Sequence, residues 1–130
     1  MSDDLLTWVV AALEVLAAAG IAGFWITWFR QPHDEPWLPA GYVDHEAAFV
    51  FPDTVLSIVL VLGAGLQVAE QPAGRSLGLV AAGMLAFLGV LDLAYFARTG
   101  LFRRERGGLA NVAVVASVLT LSVILAVRFV

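Results

Sequence analysis

The stretch from Leu5 to Phe29, LLTWVVAALEVLAAAGIAGFWITWF, decides the fold, because a helix needs only roughly 20 apolar residues to cross a bilayer. Three later stretches have the same character, at about 49–69, 77–97 and 109–130. Lipid cannot satisfy unpaired backbone groups, and none of these stretches alternates like a barrel strand. The sequence therefore predicts an all-α integral membrane protein, an up-down four-transmembrane-helix bundle that forms a single membrane domain over residues 1–130.

The composition of the chain supports this prediction. Of its 130 residues, 61% are hydrophobic and 14% are charged, and the mean hydropathy is +0.90. An ordinary soluble domain is about 45–50% apolar and about 25% charged. The absence of cysteine excludes disulfides and thiol chemistry, and the net charge of −4 without a basic stripe predicts no nucleic-acid partner. No motif predicts a cofactor.

The predicted connections between the spans differ in kind. The loop 30–48 is acidic and carries Pro32, Pro36 and Pro39, which argue against a helix there. The segment 71–74, QPAG, predicts a tight turn that makes the second and third spans a hairpin. The third connection is a short basic loop.

The arginines predict the orientation, because cytoplasmic loops carry the excess of basic residues. On this rule the basic loops are cytoplasmic and both termini lie outside, in a multi-pass protein of the cell (plasma) membrane. The acidic start of the chain lacks the positive region of a signal peptide, so the first segment is expected to be a retained span. The five arginines of the predicted cytoplasmic side are Arg30, Arg98, Arg103, Arg104 and Arg106, against Arg75 and Arg128 on the other side.

Glu14 is the main functional signal, because an acid at the bilayer centre costs roughly 2.5–3.5 kcal/mol on insertion scales. It lies near the middle of the first span, and no arginine occupies the interior of any span. We expect it to be protonated or to face a wet cavity, with Thr120 on the fourth helix as a hydrogen-bond partner. Two interpretations stay open: a proton- or cation-binding carboxylate, and a neutral acid that bonds a neighbouring helix.

Two further acids occur near the ends of spans. Asp53 follows Pro52 and is typical of a first helical turn, although a polar line that includes Gln67 runs along the same face. Asp92 lies toward the carboxyl end of its helix, where the helix dipole disfavours an anion. With Asn111 at a similar depth, these acids predict a polar pocket that faces the cytoplasm. The alternative for Asp92 is a snorkelling or ion-paired side chain.

The two histidines lie in the acidic loop, as His33-Asp34-Glu35 and Asp44-His45-Glu46. Imidazoles with carboxylates could bind a divalent metal, but no tight ligand spacing is present. Asp44 and Glu46 equally suit the start of a helix that enters the membrane. The sequence therefore favours a solvated acidic loop, with His33 and His45 as weak candidates for metal ligands.

The segment from Trp8 to Val15, which contains Ala11 and Glu14, is similar to the first-helix motif of the small multidrug resistance transporters. The resemblance implies that Glu14 binds a proton or a lipophilic cation in alternation. It covers the first helix only. The lysine that follows that helix in the family is missing, the aromatic-and-glycine signature of the third helix gives way to Asp92, and the first loop is longer. We therefore assign the chain to no family.

These observations predict a small polytopic membrane protein whose intramembrane acids bind a proton, cation or lipophilic ligand, as a transporter, channel or carrier. The bilayer is its predicted partner, together with further copies in a homo-oligomer or a larger membrane complex. The alternative is a non-catalytic accessory subunit of such a complex. No nucleophile or triad indicates an enzyme, although acid–base work on a lipid by the Asp53, Asp92 and Asn111 cluster is a third hypothesis. The candidate site residues are Glu14, Asp53, Asp92, Asn111 and Thr120.

Overall fold

The computed structural model describes residues 2–130, which form helices and no strand. The order is α1 (Asp3–Arg30), α2 (Tyr42–Ala47), α3 (Val50–Val68), α4 (Pro72–Thr99), a single 3-10 turn (Arg104–Arg106) and α5 (Gly108–Phe129). Within these residues, four helical segments are long and apolar enough to cross a membrane: α1, α2 with α3, α4, and α5. The predicted all-helical class with four apolar helices is thus confirmed.

Local sequence signals set the helix ends. The Ser2 side chain accepts a hydrogen bond from Leu5 N, 3.2 Å, and Asp3 follows in the first turn, where the helix dipole favours an anion. Gln31 is extended because Pro32 follows it, and this ends α1. Pro72 begins α4 at a position where its missing N–H costs nothing.

The loop 31–49 departs from the prediction based on its prolines, because it contains the short helix α2, which agrees with the alternative that Asp44 and Glu46 begin a helix leading into the second span. All three prolines of the loop precede Tyr42, so residues 42–47 are free to become helical. Gly41, with φ of 78°, makes the left-handed turn at which α2 begins. Hydrogen bonds from Ala48 N to Asp44 O and from Asp53 N to Phe49 O carry the helical path from α2 into α3.

Neighbouring helices run in alternate directions. α1 packs on α3, α3 on α4 and α4 on α5. The beginning of α1 (Thr7), the end of α3 (Gln67), the beginning of α4 (Arg75) and the end of α5 (Phe129) line one cavity, so they share one end of the bundle. We call this the termini end. The opposite end carries the two longer connections, 31–49 and 100–107, and we call it the loop end.

The core lies along the middle of the bundle. Leu56 and Leu60 of α3, Leu85 of α4 and Leu125 of α5 are almost wholly buried. Ser122 Oγ donates a 2.8 Å hydrogen bond to the Ala82 carbonyl oxygen and ties α5 to α4 within this layer. Large apolar side chains are nevertheless exposed on all four long helices, from Leu16 of α1 to Val127 of α5. Such a surface suits lipid rather than water.

Candidate functional site: buried acids at two levels of the bundle

Glu14 is completely buried, with 0% of its surface exposed, on the face of α1 that packs against α3. Gln67 Nε2 of α3 donates a 2.7 Å hydrogen bond to Glu14 Oε1. The other carboxyl oxygen, Oε2, lies against Gly63, where an added Cβ would be 3.2 Å away. The absence of a side chain at Gly63 therefore makes room for the carboxyl group between the two helices.

The predicted hydrogen bond between Glu14 and Thr120 is wrong. Thr120 is exposed on α5, and the partner of Glu14 is Gln67. The physical reason is helix order: α1 packs on α3, so a residue of α5 at similar depth faces elsewhere. Gln67 belonged to the polar line predicted on α3, but the sequence did not indicate which helix that line faces.

Two buried acceptor atoms around Glu14 have no hydrogen-bond donor. Glu14 Oε2 and Gln67 Oε1 are both buried and both lack a partner. Both are acceptors when Glu14 is ionised, and no ion pair found in residues 2–130 involves Glu14. A proton on Oε2 would turn one of these acceptors into a donor. The geometry thus fits a neutral acid beside an amide better than an isolated buried anion.

A polar route connects Glu14 with the termini end. Gln67 also lines an open cavity of about 380 Å³, together with Thr7, Gln71, Arg75 and Arg128. Arg75 Nε donates to Phe129 O, 2.6 Å, and Arg128 contacts Thr7 Oγ1 at 3.2 Å and the Asp3 carboxylate at 3.5 Å. The Gln67 side chain therefore lies between the buried acid and an open cavity lined by Arg75 and Arg128.

The second level of acids lies near the loop end. Trp25 Nε1 of α1 donates a 2.8 Å hydrogen bond to Asp53 Oδ2, and Asp53 and Asp92 lie within electrostatic range of each other. The structure thus brings these two predicted residues together, half-buried between α1, α3 and α4. Among residues 2–130, no ion pair involves either acid, so the predicted ion-paired alternative for Asp92 has no support.

Asn111 and the histidines lie outside this pair of acids. Asn111 Nδ2 donates to the Leu101 carbonyl oxygen, 2.7 Å, and so fastens the loop after α4 to the first turn of α5. His33 stacks on Trp28, with ring centroids 4.2 Å apart, and His45 stacks on Tyr95 at 3.7 Å. Residues 2–130 contain no group of three or more His, Cys, Asp or Glu side chains that could hold a metal ion.

Glu46 was missed as a site residue, because the sequence suggested only a helix start in a solvated loop. The structure places it on α2 with 5% of its surface exposed, and its Oε1 is buried without a partner. Its spacing from Asp53, seven positions along a nearly continuous helix, is the signal that could have placed both on one face.

No family model, curated protein or solved structure matches the chain. The assignment of a function therefore depends on the chemistry of these buried acids.

Proposed function

We propose that the chain is an integral membrane protein, embedded through its four long helices, that works as a small transporter, channel or carrier in which Glu14 binds and releases a proton. The single observation that carries this proposal is the Glu14 carboxyl group: fully buried, bonded only to Gln67, with one oxygen unpartnered. Acids in membrane helices are costly and most often serve ion or proton paths.

The size of the Glu14 site favours a proton over larger cations. Gln67 bonds one carboxyl oxygen and even an added Cβ at Gly63 would lie 3.2 Å from the other, so an organic cation would require these residues to move apart. A proton needs no extra volume and supplies the missing donor. Exchange with water would proceed through Gln67 and the cavity at the termini end.

The accessory-subunit alternative has no specific contact in its favour. Exposed apolar side chains lie on all four long helices, which is the arrangement that contact with lipid requires, and are not confined to one face. Four helices enclose little volume, so we propose that a transport path forms between copies in a homo-oligomer. Native mass spectrometry of gently extracted protein tests this: a fixed complex with other polypeptides would contradict it.

Proton movement through reconstituted protein is the direct test of the role of Glu14. Liposomes that contain the protein and a pH-sensitive dye are given a transmembrane pH gradient and a counter-ion path. Glu14→Gln keeps the size of the side chain but cannot ionise, so proton flux is expected to fall to the level of protein-free liposomes. Glu105→Gln, at an exposed position of the 3-10 turn, is the matched control and is expected to keep wild-type flux. Wild-type flux in Glu14→Gln would contradict the proposal.

A further inference from the structure

Glu46 holds a second buried carboxyl group, at the loop end of the bundle. Its neighbours follow from the helical path that joins α2 to α3: Phe49 N bonds Glu46 O at 2.9 Å, and Asp53 N bonds Phe49 O at 2.9 Å. Glu46 and Asp53 are therefore about two helical turns apart on one face of a nearly continuous helix.

That face meets α4. The His45 ring stacks on Tyr95 with an interplanar angle of 9°, which fixes α2 against the carboxyl-terminal part of α4. Asp92 lies three residues before Tyr95, so both occupy the same side of α4. The carboxyl groups of Asp92 and Asp53 both act electrostatically on Glu46.

The remaining groups around Glu46 include two tyrosine hydroxyl groups and the imidazole of the adjacent His45, which stacks on Tyr95. The Tyr42 and Tyr95 hydroxyl groups interact electrostatically with Glu46, and α1 contributes the Trp25 indole, which bonds Asp53. In residues 2–130, no arginine or histidine forms an ion pair with any of the three acids. The acids are also not grouped closely enough to hold a metal ion.

Glu46 is buried and Asp53 and Asp92 are half-buried, and each negative charge that acts on Glu46 makes its ionised form less favourable. Glu46 points independently to a ligand, because its Oε1 is buried, unpartnered and part of a side chain that is only 5% exposed. The smallest ligand that both removes a charge and supplies a hydrogen-bond donor is a proton.

We infer that Glu46, with Asp53 and Asp92, forms a second proton-binding site, which takes its proton from water at the loop end. Binding forms one O–H bond on the Glu46 carboxyl group and breaks only the bond of that proton to water. The site is separate from Glu14: Asp53 and Gln67 lie 14 residues apart on α3, roughly 21 Å along the helix. Between them, Leu56, Leu60 and Leu85 close the bundle. The inference is independent of the role proposed for Glu14.

Infrared difference spectroscopy of the full-length protein in lipid tests the site, because protonated carboxylic acids have a carbonyl stretching band that carboxylates lack. Over a pH titration, Glu46→Gln is expected to remove the band of a buried carboxylic acid, which lies at higher frequency than the bands of exposed acids, whereas Glu105→Gln removes only the band of an exposed acid. Glu14→Gln is expected to keep the Glu46 band, so the experiment tests the Glu46 site separately from the role proposed for Glu14. An unchanged set of bands in Glu46→Gln would overturn the inference.

Asp92→Asn provides the second variant, in which Glu46 itself is intact. Removing a neighbouring negative charge makes ionised Glu46 easier to form, so its band is expected to disappear at lower pH than in the wild type. The same shift is not expected in Asp44→Asn, on the exposed side of α2. An unshifted band in Asp92→Asn would overturn the shared site. If the band disappears when Na⁺ is added at constant pH, the site binds a metal cation in place of the proton. That outcome would also overturn the inference.

Discussion

At the scale of single residues, Gln67 links two features that the chain keeps apart in sequence. Its amide nitrogen donates to Glu14, and the same side chain lines the cavity at the termini end. An amide can donate with one atom and accept with another, so it can bond the acid in either protonation state. This makes Gln67 a positioning residue for the buried acid.

Replacing Gln67 by Leu is expected to destabilise the protein. Leucine is of similar size but leaves the buried carboxyl group without its donor, which costs about 1–3 kcal/mol in the free energy of unfolding. Reversible unfolding in mixed micelles, followed by circular dichroism, measures the effect. Gln71→Leu is the matched control, since Gln71 is exposed at the same end and does not bond Glu14. Its cost is expected to stay within about 0.5 kcal/mol, and equal losses in both variants would show that the Glu14 bond contributes nothing.

At the scale of helices, glycines decide how closely neighbours approach. Three glycines lie in such contacts: Gly63 lies against Glu14, Gly74 against the backbone of Gln67, and Gly78 against the Phe129 ring. Gly23 and Gly65 have no neighbouring atoms within 4 Å of an added Cβ. Gly89 of α4 also lies against Leu119 of α5, and Gly108 lies against the backbone of Phe102, so close approach at glycines extends from the termini end to the loop end.

Gly74→Ala tests the close approach of α3 and α4. The new Cβ would lie 2.7 Å from Gln67 N and 3.0 Å from its Cα, so the α3–α4 hairpin must open. We expect a loss of about 1–3 kcal/mol in the free energy of unfolding. The matched control is Gly83→Ala on the same helix, where an added Cβ meets nothing within 4 Å. There the better helix propensity of alanine is expected to stabilise by about 0.5–1 kcal/mol, and a similar loss in both variants would contradict the packing argument.

At the scale of the whole molecule, the ends of the bundle differ in charge. The loop end carries Arg30, Arg98 and the arginines of the 3-10 turn, whereas Arg75 and Arg128 lie at the termini end. With a membrane around the four helices, the positive-inside rule places the loop end in the cytoplasm. The cavity beside Gln67 would then open to the outside, and the site around Glu46 to the cytoplasm.

The absence of native cysteine allows a clean test of this orientation. Gln71→Cys at the termini end is expected to react with a membrane-impermeant maleimide in intact cells. Ala40→Cys, exposed in the loop before α2, is expected to react only after the membrane is made permeable. The opposite labelling pattern would show that the orientation is the reverse of the predicted one. Labelling of both cysteine variants in intact cells would contradict the embedding of the helices.

The number and type of the helices could be predicted because long apolar runs have few alternatives in lipid. The partners of the buried acids could not. Each long helix is apolar nearly all round, so the sequence does not indicate its rotation, and Thr120 was chosen for Glu14 by depth alone. Glu46 was missed for another reason: burial of a six-residue helix depends on its packing against α4, through the His45–Tyr95 stack, rather than on its own pattern.

The hydrogen bond from the Trp25 indole to Asp53 has a spectroscopic consequence. A carboxylate that accepts the indole N–H bond exerts a stronger electric field on the indole ring than a neutral carboxylic acid does. The energies of the excited states of the indole depend on that electric field. Trp25 and Trp28 are both buried, with ring centroids 5.3 Å apart, whereas Trp8 and Trp37 are exposed, so the emission of the buried pair differs from that of the exposed tryptophans. The proton binding that we infer at the loop end would therefore change the emission of the buried tryptophan pair, which is measurable in unlabelled protein.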